Sequence, residues 1–371
     1  MRPGRSAAAW RAALVALFVL LGCGPDGEGA DAPAGAPGDV SAETSAPAEG
    51  PDAAGATAPG TDEPTVPGSL TGDGPRPATY AGPVLDLPPE AETDAPDPDA
   101  RETERDWLIA RGMVEWATGQ GLGGLPTAEV AAIIGATFVG APYEPGTLEV
   151  PGPEGLVINL RTFDCVTFVE HALVLARLVT GQAGEPEALL ADEDAFRDTY
   201  RAELTHMRYR DGQVDGYPSR LHYFTEWLDH GIAAGELEEV TGELDGVVDD
   251  RPIHFMSSNP DAYRQLDEAP ELVDEIRRIE ERLTQGTRLY VPQERIAEVE
   301  GGIRNGDIIA SVSTVEGLDI AHTGLALWHD DRLHLLHAPL VGDSVEVSQR
   351  PLAERIQNIN AQKGIRVVRP R

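Results

Sequence analysis

Arg161-Thr162-Phe163-Asp164-Cys165-Val166-Thr167-Phe168-Val169-Glu170 is the stretch on which the fold turns. A polar loop ends at Asp164, and an apolar-periodic run from Cys165 to Thr180 stops at Gly181, the pattern of a helix that starts on a cysteine. The N-terminus of a helix presents unpaired N–H groups and partial positive charge. Both stabilise a thiolate, the attacking form of cysteine. The chain has two cysteines, and Cys23 belongs to the leader, so counting excludes a disulfide within the mature body. Cys165 is then a buried spectator or a nucleophile, and its surroundings favour the nucleophile.

Around this helix the first half of the body reads helical. Trp107, Leu108, Met113 and Val114 mark one amphipathic helix, and residues 127–139 mark another, with Thr127 as its expected cap after Pro126. Helical patterns recur over 196–207, 221–232 and 274–283. The texture then becomes β, with predicted strands at 307–312, 322–329 and 332–338 and two short ones at 345–347 and 365–368. Helices first and an antiparallel sheet afterwards predict an α+β layered fold.

That order has a chemical meaning. A cysteine on an early helix with histidines on distant strands is the arrangement of papain-like thiol hydrolases. Among nine histidines, His322 opens one strand and His337 lies near the end of the next. A hairpin turning at Asp330-Asp331 places the two near each other across the ladder, within a one-step offset. His322 is therefore the expected general base and His337 its orienting partner. His329 and His334 are expected to face solvent at the turn, His206, His230 and His254 to be structural, and His171 to pack. A zinc site on His322, His337 and a carboxylate is the weaker alternative: no His-x-x-x-His or His-Glu-x-x-His spacing occurs, and no metal or other cofactor is expected.

The front of the chain speaks to location. Arg2, Arg5 and Arg11 flank an apolar run, residues 12–21, too short to span a bilayer but suited to a signal-peptide core. It ends in Leu20-Leu21-Gly22-Cys23, which looks like a bacterial lipobox, so residues 1–23 are expected to be a lipoprotein signal with Cys23 carrying the lipid. Gly24 follows, with no aspartate to resemble an inner-membrane retention signal, and points to the periplasmic side of the outer membrane. Residues 24–100 are Ala, Gly, Pro and acid-rich with almost no aromatics, the composition of a disordered tether, and 101–371 form one body. The net charge of −34 is shared by tether and body and argues against nucleic acid as a partner.

Five blocks fall in a telling order. They are Gly140-Ala141-Pro142-Tyr143-Glu144-Pro145-Gly146, Asp164-Cys165, Gly306-Asp307-Ile308-Ile309, His322-Thr323-Gly324-Leu325 and Leu336-His337-Ala338-Pro339. The series resembles the NlpC superfamily of papain-like cell-wall hydrolases. With Thr147-Leu148-Glu149, residues 163–170, Arg208-Tyr209-Arg210, residues 219–223 and Gly317-Leu318-Asp319, the chain is most similar to the N-acetylmuramoyl-L-alanine amidase-like branch, over nearly all of residues 103–370. The resemblance implies a Cys-His-His set of Cys165, His322 and His337. Tyr143 would stand beside the cysteine, its hydroxyl near the developing oxyanion with the Cys165 backbone N–H.

Many superfamily members carry Ser-Gly after the Asp-Cys pair, where this chain has Val166-Thr167. That departure favours the amidase branch over the γ-D-glutamyl-diamino-acid endopeptidases. The branch cuts between the lactyl group of N-acetylmuramic acid and L-alanine and prefers anhydro-muropeptides, so peptidoglycan fragments are the implied partners. A peptidoglycan-binding lipoprotein without catalysis, and acyl transfer to an amine, remain open alternatives. In the mostly helical insertion, Arg220, His222 and Tyr223 are candidate substrate contacts, the alternatives being an internal ion pair for Arg220, a structural hydrogen bond for His222 and core packing for Tyr223. Asp164 is read as an N-terminal helix residue or a contact to a substrate amine, and Asp319 as a brace for the loop leading to His322.

Overall fold

The computed structural model describes residues 100–371, and the expectations for the signal segment and the tether lie outside the described residues. The longer helices are α1 (Glu104–Gly119), α2 (Thr127–Thr137), α3 (Cys165–Val179), α4 (Glu193–Arg208), α5 (Phe224–Ala233) and α6 (Val273–Gln285). The strands are β1 (Leu237–Glu239), β2 (Val247–Val248), β3 (Leu289–Pro292), β4 (Ile308–Ser313), β5 (Ile320–His329), β6 (Arg332–His337), β7 (Glu346–Val347) and β8 (Gln362–Pro370). They form one antiparallel sheet in the order β2-β3-β8-β4-β5-β6-β7, with β1 also pairing to β8. The α+β expectation agrees with this architecture. None of the described helices is long and apolar enough to cross a membrane.

The sheet is buried on both faces, so its central strands read as nearly continuous apolar runs. On one face Ile308, Ala310, Leu325, Leu327, Leu336 and Val368 join α1 to α5 in the largest core. On the other, Ile309, Ala326, Leu335, Ile365 and Val367 pack with Leu352 and Ile356 of the short helix Leu352–Gln357. A third core, built by Tyr223, Phe255, Leu266, Ile276 and Leu283 among others, organises the insertion between α5 and β3.

Two local devices set the site's frame. The first is the start of α3. Asp164 Oδ1 accepts from the amides of Val166 at 3.0 Å and Thr167 at 2.8 Å, while the Asp164 amide donates to Thr167 Oγ1 at 3.0 Å. This reciprocal cap fixes Cys165 as the first helical residue. At the other end Gly181, at φ +77°, turns the chain away. The second is the β5–β6 hairpin, where Asp330 and Asp331 both have positive φ, as a two-residue primed turn requires. The resulting register pairs Leu325 with Leu336. Gly306, at φ +80°, leads into β4 where a Cβ would sit 1.7 Å from the Ala128 carbonyl oxygen, so only glycine fits between α2 and the sheet.

Some expectations are corrected. Thr127 is not the cap of α2: Pro126 occupies that position, and the Thr127 hydroxyl instead accepts from Gln182 Nε2 at 2.8 Å. The helix expected over 221–232 begins only at Phe224. His334 is buried, not solvent-facing, because β7 and the following turn fold over it and its Nδ1 lies 2.7 Å from the Ser348 carbonyl. Three short strands, β1 to β3, escaped the sequence reading, being too brief to show a period of two.

Candidate active site

Cys165, His322 and His337 line one cavity of about 280 Å³, between the start of α3, the ends of β5 and β6, and the insertion. Cys165 is half-buried and not in a disulfide. His322 Nε2 lies 2.8 Å from His337 Nδ1, with the two rings nearly perpendicular. The expected approach of the two across the hairpin is met, and the sheet register creates it. His337 follows Leu336, which pairs with Leu325, so the next step of the ladder sets His337 opposite Gly324 and diagonal to His322. A Cβ on Gly324 would stand 2.8 Å from His337 Cβ and 2.6 Å from the Leu336 carbonyl oxygen. Glycine at 324 therefore lets one imidazole cross the ladder towards the other.

Both imidazoles are held well below the usual histidine pKa, first by burial and next by the Arg355 guanidinium, with His322 adding to the effect on His337. They are neutral at physiological pH, so each ring carries one N–H and one lone pair. His322 spends Nε2 on His337. The nitrogen left for a thiol is Nδ1.

The remaining sequence candidates are placed as follows. Tyr143 lines the cavity and bridges to Phe163, two residues before Cys165. Asp164 is the helix cap already described, and burial pushes its carboxyl upward against the opposing pull of the Thr167 amide and hydroxyl. Asp319 Oδ2 accepts from the Thr225 amide at 2.8 Å, and Tyr223, the N-cap residue of α5, makes no side-chain cap bond. Asp319 thereby ties the loop before His322 to the start of that helix.

Arg220 lines the cavity but spends its fork internally, on Glu149 Oε1 at 2.6 Å and the Leu148 carbonyl at 3.2 Å, with its guanidinium over the Tyr217 ring. Tyr223 donates to Glu280 at 2.7 Å within the third core. His222, kept neutral by burial, donates from Nε2 to the Tyr217 carbonyl at 2.8 Å. All three border the cavity, yet each has a structural partner. Arg208 and Arg210 are likewise taken up, by Glu170 and Glu226. His171 is buried against Tyr200. Among the described residues no group of three or more His, Cys, Asp and Glu is arranged to hold a metal.

Sequence reasoning missed Arg355, Glu346, Gln362, Tyr217 and Tyr263, which also line the cavity. For Arg355 the signal was faint, one arginine in a six-residue helix. Tyr217 sits in Gly216-Tyr217-Pro218, a turn signature that announces a loop and nothing of its contents.

A family model described as N-acetylmuramoyl-L-alanine amidase-like, AmiA-like, matches residues 133–365, more than half of the chain and all of the cavity's catalytic candidates. The chain belongs to this family. Among solved structures, an N-acetylmuramoyl-L-alanine amidase from Bacteroides uniformis ATCC 8492 is 36% identical, with a TM-score of 0.60, over 66% of this chain and 99% of that one. A Bacteroides fragilis protein provisionally named as a xylanase is 35% identical, with a TM-score of 0.58, over 63% and 98%. A Legionella pneumophila protein at 19% identity and a TM-score of 0.51, over 71% of this chain and 94% of that one, shares the fold alone. No curated protein matches the chain. Membership makes this an amidase-like peptidoglycan hydrolase family protein, with a peptidoglycan-type substrate.

Proposed function

We propose that the protein is a cysteine-dependent N-acetylmuramoyl-L-alanine amidase of papain-like, NlpC type that acts on anhydro-muropeptides. The observation that carries this reading is the 2.8 Å bond between His322 and His337 beside a cysteine at a helix start, all in one cavity. Cys165 gives its proton to His322 Nδ1 and attacks the lactyl carbonyl carbon. The tetrahedral oxyanion is met by the first amide of α3 and the Tyr143 hydroxyl. His322 returns the proton to the nitrogen of L-alanine, the C–N bond breaks, and the stem peptide leaves. Water then loses a proton to His322, attacks the thioester, and restores the thiol. Nothing but water is consumed. The acidic segment before residue 100 would serve as a tether from a lipid on Cys23, on the periplasmic side of the outer membrane.

Mass spectrometry of anhydro-muropeptides incubated with the protein tests the scissile bond. Free stem peptide beginning at L-alanine is expected. A cut between D-glutamate and the diamino acid would instead make the protein an endopeptidase, and binding without any cut would make it a peptidoglycan-binding lipoprotein.

A substitution probes the geometry. Gly324→Ala sets a methyl group against His337 and the Leu336 carbonyl, so the histidine pair must separate. We expect kcat to fall by about a hundredfold, as for a 1 Å misplacement, with a stability loss of about 1–3 kcal/mol. Steady-state kinetics beside a thermal melt check both, and wild-type turnover would remove the crossing of the ladder from the mechanism.

A further inference from the structure

We propose that Glu346 is a positioning residue that selects the productive tautomer of the His322–His337 pair. This rests on the reading of Cys165 as the nucleophile. His337 and Glu346 are direct cross-strand partners in β6 and β7, so their side chains share one face of the sheet. His337 thus stands in a row with Gly324 on one side and Glu346 on the other. Glu346 Oε1 lies 3.8 Å from His337 Nε2, about 0.6 Å beyond the hydrogen-bonding range. His337 itself is 1% exposed, and its Nε2 has no hydrogen-bond partner. Glu346 also lines the cavity, and its other carboxylate oxygen rests close to Gly342, where a Cβ would approach it to 3.3 Å.

Proton bookkeeping shows why this matters. A neutral pair bonded through His322 Nε2 and His337 Nδ1 has two arrangements. If His322 Nε2 donates, Nδ1 is a free lone pair able to take the thiol proton, and the His337 proton sits on Nε2, facing Glu346. If His337 Nδ1 donates, the His322 proton is forced onto Nδ1, no base faces the thiol, and a bare His337 Nε2 lone pair confronts a carboxylate. The carboxylate favours the first arrangement and disfavours the second. When His322 becomes an imidazolium the same orientation persists, because both its nitrogens are then donors. The Arg355 guanidinium and His322 are the other charged or titratable groups bearing on His337, and both oppose its protonation.

The test is nuclear magnetic resonance of the ¹⁵N-histidine-labelled protein, with His337 assigned from a His337→Gln variant, alongside kinetics on anhydro-muropeptides. The wild type should carry the His337 proton on Nε2. Glu346→Ala should move it substantially to Nδ1 and lower kcat on the order of 10- to 100-fold with KM unchanged. Glu346→Gln, which keeps an acceptor oxygen, should recover much of both. A wild-type proton on Nδ1, a tautomer indifferent to Glu346→Ala, or a loss confined to KM would each overturn the proposal. The spectra need no substrate, so they decide the tautomer even if the amidase reading itself fails.

Discussion

Cys165→Ala is expected to abolish hydrolysis, lowering kcat by roughly 10⁴-fold or more. Without the sulfur no acyl-enzyme forms, and His322 has no proton to accept. Loss of stability does not account for this, since the residue is half-buried and the cap of α3 runs through Asp164 and Thr167. The folding stability should therefore stay within about 1 kcal/mol of wild type. Product analysis beside a thermal melt separates the two effects. Retained turnover in a folded Cys165→Ala protein would remove the thiol from the reaction and send the search to the other groups lining the cavity.

Glu170→Ala carries the largest expected effect on stability. Glu170 lies in the second turn of α3, 1% exposed, and its Oε2 accepts from Arg208 Nε at 2.9 Å and Nη2 at 2.7 Å. Arg208 is 2% exposed and also donates to the Val157 carbonyl. The pair ties the cysteine helix to the end of α4. Removing the carboxylate strands a guanidinium in the core, which costs about 3–5 kcal/mol, or roughly 10 °C in a domain of this size. Replacing both partners by apolar residues, Glu170→Leu with Arg208→Met, should be far milder, because most of the single-variant loss is the uncompensated charge. Calorimetry of the two proteins checks this. A Glu170→Ala melt within about 1 kcal/mol of wild type would mean that water reaches Arg208 and shares its charge.

What could be read from the sequence follows from the range of the interactions involved. The start of α3 was legible because its cap joins Asp164 to Val166 and Thr167, neighbours three residues apart at most. The approach of His322 to His337 was legible because a two-residue turn at Asp330-Asp331 sets the register of every pair above it, and a strand alternates with a period of two. The sequence thus determined which residues open the helix and which two histidines meet.

The partners of the arginines were another matter. The chain holds 63 Asp and Glu against 29 Lys and Arg, so each cation has more than two carboxylates to choose from, and no local rule ranks them. Only the tertiary structure decided that Arg220 goes to Glu149, Arg208 to Glu170 and Arg210 to Glu226. The same holds for Glu346 beside His337 and for Arg355 near both rings. The strand over 345–347 was expected, but not its pairing with β6, and a six-residue helix carries too little pattern to announce itself. They reach the site because packing against the sheet leaves them no other place, and that is a property of the assembled core, not of any stretch of chain.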